Sequence, residues 1–247
     1  MDKLRNNLTY QYKFILGNGI EKEFIIELDK NTLNLQTHSD KLLPSWTALE
    51  YHQCSICTLD PQESAFCPVA VNLVDLVEFF QMSASYEKIE LHIETEARNF
   101  AKKTSLQQGI SSLIGIYMVT SGCPVMDNLK PMVRFHLPFA TIEETKYRAV
   151  SMYLMAQYFL FKEGEEPDWE LKHLADIYDD IKLLNMNFSQ RLSSIGLEDA
   201  TLNALVELDC FAENIRIGLS KDKLTEIKAL FKSYLDKNRE KKKKEQK

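Results

Sequence analysis

Alternating hydrophobic and polar residues open the chain and predict β-strands. Between residues 10 and 16 every second side chain is aromatic or aliphatic, and the alternation resumes over residues 24–28, after Gly17–Asn18–Gly19. A period of two on both sides of an Asn-Gly turn is typical of a β-hairpin. Two further leucines predict a third short strand, so we expect residues 8–36 to form an antiparallel β-meander with one buried face.

From residue 141 onward the hydrophobic period changes to about 3.6 residues, which is typical of amphipathic helices. Thr141 and Glu144 have the spacing of a capping box, in which each side chain binds a free backbone amide at a helix start. The helix that follows carries no charged residue from Ala149 to Phe161, which predicts a place at the centre of the core. Short loops separate the later amphipathic stretches, so residues 141–236 are predicted to form a helical bundle.

The middle of the chain mixes both patterns. Residues 37–68 are irregular and polar, and Pro68 then fits the first position of a helix. Residues 89–93 alternate as in a half-exposed strand, whereas residues 106–119 form a largely apolar helix. The predicted fold class is therefore α+β, with an N-terminal antiparallel β-meander packed on a predominantly helical C-terminal bundle.

The charge distribution separates a basic tail from an acidic body. The net charge is −6, and residues 237–247 alone hold seven basic and two acidic residues, which leaves −11 for the rest. We divide the chain into a mixed α/β region (1–140), the helical bundle (141–236) and a basic disordered tail (237–247), with the first two in one compact unit. An acidic body repels phosphate backbones, so we expect no nucleic-acid binding by the folded part.

No segment predicts export or membrane insertion. The first ten residues are polar, and the longest uncharged stretch, Thr104–Met126, has an unbroken apolar core only from Leu113 to Val119. A membrane-spanning helix needs about 20 mostly apolar residues, so the protein is not expected to be transmembrane. We expect it to be cytoplasmic, where its five cysteines would be reduced thiols or metal ligands.

Four cysteines carry most of the chemistry in this sequence. Cys54, Cys57 and Cys67 lie within 14 residues, and either Cys123 or His52 could complete a four-ligand set. Two thiolates spaced C-x2-C converge on one ion, and four sulfur or nitrogen ligands suit a structural zinc site. An iron–sulfur cluster is the alternative cofactor, because Cys-Pro ligands also occur in such proteins. Ordinary buried thiols are the third interpretation.

Two weaker candidate sites lie downstream. Cys123 and His136 are the residue types of an activated cysteine nucleophile, although the sequence does not show that they are close together. Arg134, Glu144 and Arg148 form a mixed-charge group beside the predicted helix start, which could bind an anionic small molecule. A salt-bridged rim around the capping box would have the same composition, because residues four apart on a helix pair on one face.

The sequence lacks the common nucleotide-binding and hydrolase motifs, such as a P-loop or G-x-S-x-G. We therefore expect a non-catalytic interaction or regulatory protein with a structural zinc site and a protein partner. The alternatives are an iron–sulfur or thiol-based redox protein, and an enzyme or small-molecule binder centred on Cys123 and His136. The sequence does not decide whether the chain is an enzyme, and it does not give the oligomeric state.

Overall fold

A β-hairpin begins the described part of the chain. In the computed structural model, β1 (Asn7–Leu16) pairs antiparallel with β2 (Glu21–Asp29). Gly19 has a φ of 82°, and its amide donates to the Leu16 carbonyl at 2.9 Å, which closes the predicted turn. The predicted third strand is reduced to a single bridge at Leu35. The structure describes residues 7–36, 42–196, 199–219 and 224–245.

Two later strands complete the sheet. β3 (Lys88–Thr95) confirms the strand predicted around residues 89–93, and β4 (Asn99–Ser105) was not predicted. All neighbours are antiparallel, in the order β2-β1-β3-β4. β4 buries only Thr104 and exposes two lysines, which are common on edge strands. It therefore lacks the alternation that would have shown it in the sequence.

The remaining regular structure is helical, which confirms the predicted α+β fold class. Within the described residues, no strand lies between 141 and 236. The helices are α1 (Pro68–Phe80), α2 (Leu106–Thr120), α3 (Lys130–Arg134), α4 (Ile142–Glu163), α5 (Lys172–Ser193), α6 (Asp199–Leu219), α7 (Thr225–Leu230) and α8 (Lys232–Glu245).

Helix α2 lies between the sheet and the C-terminal helices. It contacts β3 and β4 on one side and α6 on the other, while α5 packs against α6. A side chain at Gly109 would place its Cβ 2.8 Å from Ile89 Cδ1 and 3.0 Å from the Phe14 ring, so glycine allows α2 to lie close to the sheet. One continuous core of buried side chains extends from the sheet through α2 to α5 and α6.

The prediction that the first long C-terminal helix is central to the core is wrong. Helix α4 has 22 residues but buries only Ala149, Tyr153 and Gln157. Phe159 and Phe161 are more than half exposed. The absence of charge from Ala149 to Phe161 therefore reflects an apolar surface and not a buried helix.

The basic end of the chain forms a helix that buries nothing. Residues 237–245, expected to belong to a disordered tail, lie in α8, and residues 246–247 lie outside the described part. No side chain of α8 is buried. A helix satisfies its own backbone hydrogen bonds, and lysines near its C-terminus interact favourably with its dipole.

Candidate functional site

Four cysteines from three separate segments line one small cavity, called here the cysteine cavity. Cys54 and Cys57 lie in a turn closed by a 2.9 Å hydrogen bond from the Cys57 amide to the Cys54 carbonyl. Cys67 directly precedes α1, and Cys123 follows α2. The cavity measures about 20 Å³, which is close to the space that one water molecule needs. The fold therefore brings together thiols that are up to 69 residues apart.

These thiols are not arranged as a formed metal site. No group of three or more His, Cys, Asp or Glu side chains in the described ranges is placed to hold a metal ion. Of the two candidates for a fourth ligand, Cys123 lines the cavity, whereas His52 is exposed and does not. His52 has a φ of 49°, and the turn directs its carbonyl towards Arg191.

Burial keeps the thiols of Cys54 and Cys123 in their neutral form. The pKa of Cys54 is raised to about 12. Burial is the largest cause, and the neighbouring thiols add to it. Burial likewise raises the pKa of Cys123, although backbone hydrogen bonds from Met126 and Val125 oppose the effect. Because a thiolate is the form that binds a metal or attacks a substrate, either function would require something that stabilises negative charge here.

A buried cation lies beside these cysteines. Arg191, on α5, lines the cysteine cavity and is only 1% exposed. Its guanidinium donates to the carbonyls of Trp46 and Ala48, both at 2.7 Å, and to that of Leu49 at 3.1 Å. Its Nε has no hydrogen-bond partner among the described residues. The Arg191 charge also opposes the rise in the pKa of Cys54.

The structure separates Cys123 from His136. His136 Nε2 lies 2.7 Å from the Tyr12 hydroxyl, which in turn lies 3.1 Å from Ser112 Oγ. Burial, assisted by the Arg148 charge, lowers the pKa of His136 to about 3, so its ring is neutral near pH 7. His136 lines a cavity of about 450 Å³ between α2, α5 and α6, whereas Cys123 lines the cysteine cavity. The two residues are thus parts of different sites.

The predicted mixed-charge group of Arg134, Glu144 and Arg148 is also not brought together at one site. Glu144 is exposed and completes the predicted capping box, in which its carboxylate accepts from the Thr141 amide at 2.8 Å. Arg134 is exposed at the end of α3. Arg148 instead lines the 450 Å³ cavity and donates to the Met132 and Phe135 carbonyls at 2.7 and 3.0 Å.

Sequence reasoning missed two polar residues on the buried face of α5. Arg191 and Asn185 are 1% and 2% exposed. Asn185 follows Tyr178 by seven residues, and Arg191 follows Leu184 by seven, so both continue the apolar stripe of this helix. A polar residue in such a stripe is the signal that would have identified them.

A second surface feature is a groove beside α4, called here the α4 groove. It has a volume of about 1140 Å³ and lies between α3, α4 and the start of α5. Several of its lining side chains are large, apolar and strongly exposed, among them Phe135, Met155, Phe159 and Trp169. Exposed apolar patches of this kind are typical of binding surfaces.

Comparisons with known proteins give a family and no function. No curated protein and no solved structure matches the chain. Within the described residues, no helix is both long and apolar enough to span a membrane. A family model described as a domain of unknown function (DUF6901) matches residues 8–232, which include both cavities and the α4 groove. The chain therefore belongs to the DUF6901 family.

Proposed function

We propose that this chain is a non-catalytic cytoplasmic protein that binds a protein partner in the α4 groove. The observation that carries the proposal is the exposure of the apolar face of α4. Met155 is 61% exposed, Phe159 is 55% exposed, and Trp169 on the facing loop is 54% exposed. Aromatic and methionine side chains are enriched in protein interfaces, where their burial supplies most of the binding energy.

The charges around the groove indicate the chemistry of the partner. Residues 163–170, which connect α4 to α5, include five acidic side chains and no basic one. Glu166, Asp168 and Glu170 line the groove itself. Two cations also line it, but Lys172 pairs with Glu170 at 2.6 Å and Arg148 donates to backbone carbonyls. An apolar groove along a helix accepts the apolar face of an amphipathic helix, and the acidic rim favours one with lysines or arginines beside that face. The proposed partner is thus a basic amphipathic helix.

The separation of Cys123 from His136 supports a non-catalytic function. A cysteine nucleophile needs an imidazole or another positive group within hydrogen-bonding distance to form its thiolate. The raised pKa of Cys123 and the lowered pKa of His136 both favour neutral side chains near pH 7. Neither group is therefore prepared to activate the other.

We further propose that zinc bound by Cys54, Cys57, Cys67 and Cys123 stabilises the segment before α1. Binding would require the four cysteines to close from their present positions onto one ion as thiolates. Four thiolates and one Zn²⁺ carry a net charge of −2, and the buried Arg191 supplies positive charge beside them. That charge balance supports a zinc–thiolate site over ordinary buried thiols.

Fluorescence of Trp169 tests the groove. Trp46 is 7% exposed and Trp169 is 54% exposed, so a bound peptide should change the emission mainly of Trp169. A basic amphipathic helical peptide should shift this emission, and an acidic peptide with the same apolar face should not. Phe159→Ala should weaken binding at least tenfold, whereas Tyr158→Ala, which alters an exposed ring outside the groove lining, should not. The proposed partner would be refuted if the basic and acidic peptides bound with equal affinity. It would also be refuted if Phe159→Ala and Tyr158→Ala bound the basic peptide with equal affinity.

Metal analysis of the purified protein tests the zinc site. We expect about one equivalent of zinc, lost in Cys54→Ser and Cys123→Ser but retained in His52→Ala. The matched control is Cys210→Ser, because Cys210 is exposed on α6 and far from the other cysteines in sequence. Loss of zinc should lower the free energy of unfolding, since the unfolded chain has no preformed site. Iron in place of zinc would favour the redox alternative, and absence of any metal would leave buried thiols.

A further inference from the structure

The 450 Å³ cavity between α2, α5 and α6, called here the central cavity, has the properties of a small-molecule site. Its volume lies within the range of about 300–1,000 Å³ that is usual for such sites. Its walls are mainly apolar and include Met118, Ile181, Leu208, Phe211 and Ile215. A ligand that fills it must therefore be largely apolar.

Two buried polar side chains of α5 line the central cavity without satisfactory partners in the protein. Asn185 is 2% exposed and makes no side-chain hydrogen bond to any described residue. Tyr178 is 3% exposed, and among the described residues its hydroxyl donates only to the Met132 sulfur, at 3.9 Å. Buried polar groups are nearly always hydrogen-bonded, so two such groups facing one cavity require an explanation.

Arg148 adds a cation that forms no ion pair with a described carboxylate, although the Glu144 charge acts on it from one turn away. Its Nη2 donates to two backbone carbonyls, and within the described part of the chain it forms no ion pair. The nearest acid along the helix, Glu144, is bound to Thr141 in the capping box. A partly buried arginine gains most from a carboxylate, which can accept two parallel hydrogen bonds from the guanidinium.

The other charged groups of the lining do not neutralise Arg148. Lys102 and Glu207 both line the cavity and have opposite charges. Burial raises the pKa of Glu207, and its Oε2 is buried without a hydrogen-bond partner. His136 is neutral at physiological pH. The lining thus holds two cations against at most one carboxylate, and this excess of positive charge favours an anionic ligand.

We propose that the central cavity binds a hydrophobic monocarboxylate. Its carboxylate pairs with Arg148, and its apolar body lies between α2, α5 and α6, where Asn185 and Tyr178 can hydrogen-bond to it. The ligand is bound without chemical change. This site is separate from the cysteine cavity. It shares Arg148 and Met132 with the lining of the α4 groove but takes a different ligand from the proposed protein partner.

Calorimetric titration of the full chain with decanoate and with decan-1-ol tests the proposal. The two probes have the same hydrocarbon chain and differ in the charged head group. We expect decanoate to bind at least ten times more tightly than the alcohol, because only the acid can pair with Arg148. Equal affinities, or no binding of either probe, would refute a carboxylate site.

Three variants locate the bound acid. Arg148→Met should weaken decanoate binding at least tenfold, whereas Arg134→Met, which removes an exposed cation outside the cavity lining, should not. Gly115→Leu should also abolish binding, because this glycine lines the cavity and leucine would occupy it. Leucine is favoured over glycine in a helix, so this variant is expected to fold even if Arg148→Met does not.

Arg148 also lines the α4 groove, and the Gly115 variant separates the two locations. Decanoate bound in the groove would be lost in Arg148→Met but kept in Gly115→Leu. That result would overturn the proposal for the central cavity. Loss of binding in both variants, with normal binding in Arg134→Met, is the result expected.

Discussion

Arg191 Nη1 donates a 2.7 Å hydrogen bond to the backbone carbonyl of Trp46, which lies 145 residues earlier in the chain. The same nitrogen donates at 2.7 Å to Ala48, and Nη2 donates at 3.1 Å to Leu49. One side chain of α5 thus satisfies several carbonyls of a segment whose regular structure is limited to a short 3-10 turn and a single bridge. The order of this segment therefore does not depend on a metal alone.

Replacing Arg191 should destabilise the protein strongly. Arg191→Met leaves buried carbonyls without donors, which should lower the free energy of unfolding by about 3–5 kcal/mol. The free energy of unfolding of Arg191→Lys should lie between those of Arg191→Met and the wild type. An ammonium keeps the charge but lacks the planar fork of donors. Urea unfolding measures both effects.

Arg134→Met is the control, since Arg134 is exposed and should change stability by no more than about 0.5 kcal/mol. An Arg191→Met variant that unfolds at the same urea concentration as the wild type would show that these hydrogen bonds contribute nothing net.

The main features of the fold could be predicted because hydrophobic periodicity is local. The hairpin, α1, α2, α5 and α6 each bury one face, and each showed its period in the sequence. β4 did not, because it buries a single side chain. The position of α4 was mispredicted because an apolar stretch does not reveal whether the protein itself supplies the surface that covers it.

The cysteine cavity could be predicted only in part, because proximity between distant residues depends on tertiary packing. Residue type and spacing identified Cys54, Cys57 and Cys67, and the fold brings Cys123 to the same cavity. Spacing could not show that Cys123 and His136 line different cavities, because that depends on how α2 packs against the helices. Long-range proximity is a property of tertiary packing and leaves no period in the sequence.

Two glycines of α2 should respond oppositely to alanine. At Gly109 the new Cβ would lie 2.8 Å from Ile89 Cδ1 and 3.0 Å from the Phe14 ring, so α2 or the sheet must shift. At Gly115 the nearest atom is Leu208 Cδ2 at 3.7 Å, which is an ordinary contact. We expect Gly109→Ala to cost about 1–3 kcal/mol of unfolding free energy through overpacking. Gly115→Ala should gain up to about 1 kcal/mol from helix propensity.

Thermal unfolding of the two variants checks this pair. The melting temperature of Gly109→Ala should fall and that of Gly115→Ala should stay level or rise. Equal shifts in both variants would mean that the sheet yields to the added methyl group at Gly109.

Removal of the last basic residues should leave the body intact. A chain that stops after Lys237 loses no buried side chain, because α8 has none. Its melting temperature should change by less than about 2 °C, which corresponds to about 0.5 kcal/mol for a protein of this size. A chain that stops after Gly196 should not fold, since it lacks α6 with its buried Leu205 and Ile215. If the melting temperature of the chain that stops after Lys237 fell by several degrees, α8 would contribute to packing.

The stability of the protein should fall with acid because the partly buried His136 is held in its neutral form. Burial lowers its pKa to about 3, and its Nε2 lies 2.7 Å from the Tyr12 hydroxyl. Between pH 6.5 and about 3 the unfolded chain binds a proton at this position that the folded protein does not. The free energy of unfolding is therefore highest above pH 6.5 and should decrease by at most about 1.4 kcal/mol per pH unit below it.

His136→Gln isolates this contribution, because glutamine can still hydrogen-bond to Tyr12 but does not titrate. Urea unfolding at pH 7, 6 and 5 should show wild type and variant converging as the pH falls, by on the order of 1–2 kcal/mol in total. If the difference between wild type and His136→Gln stays constant, His136 is protonated as easily in the folded protein as in the unfolded chain, and the inner wall of the central cavity is open to water.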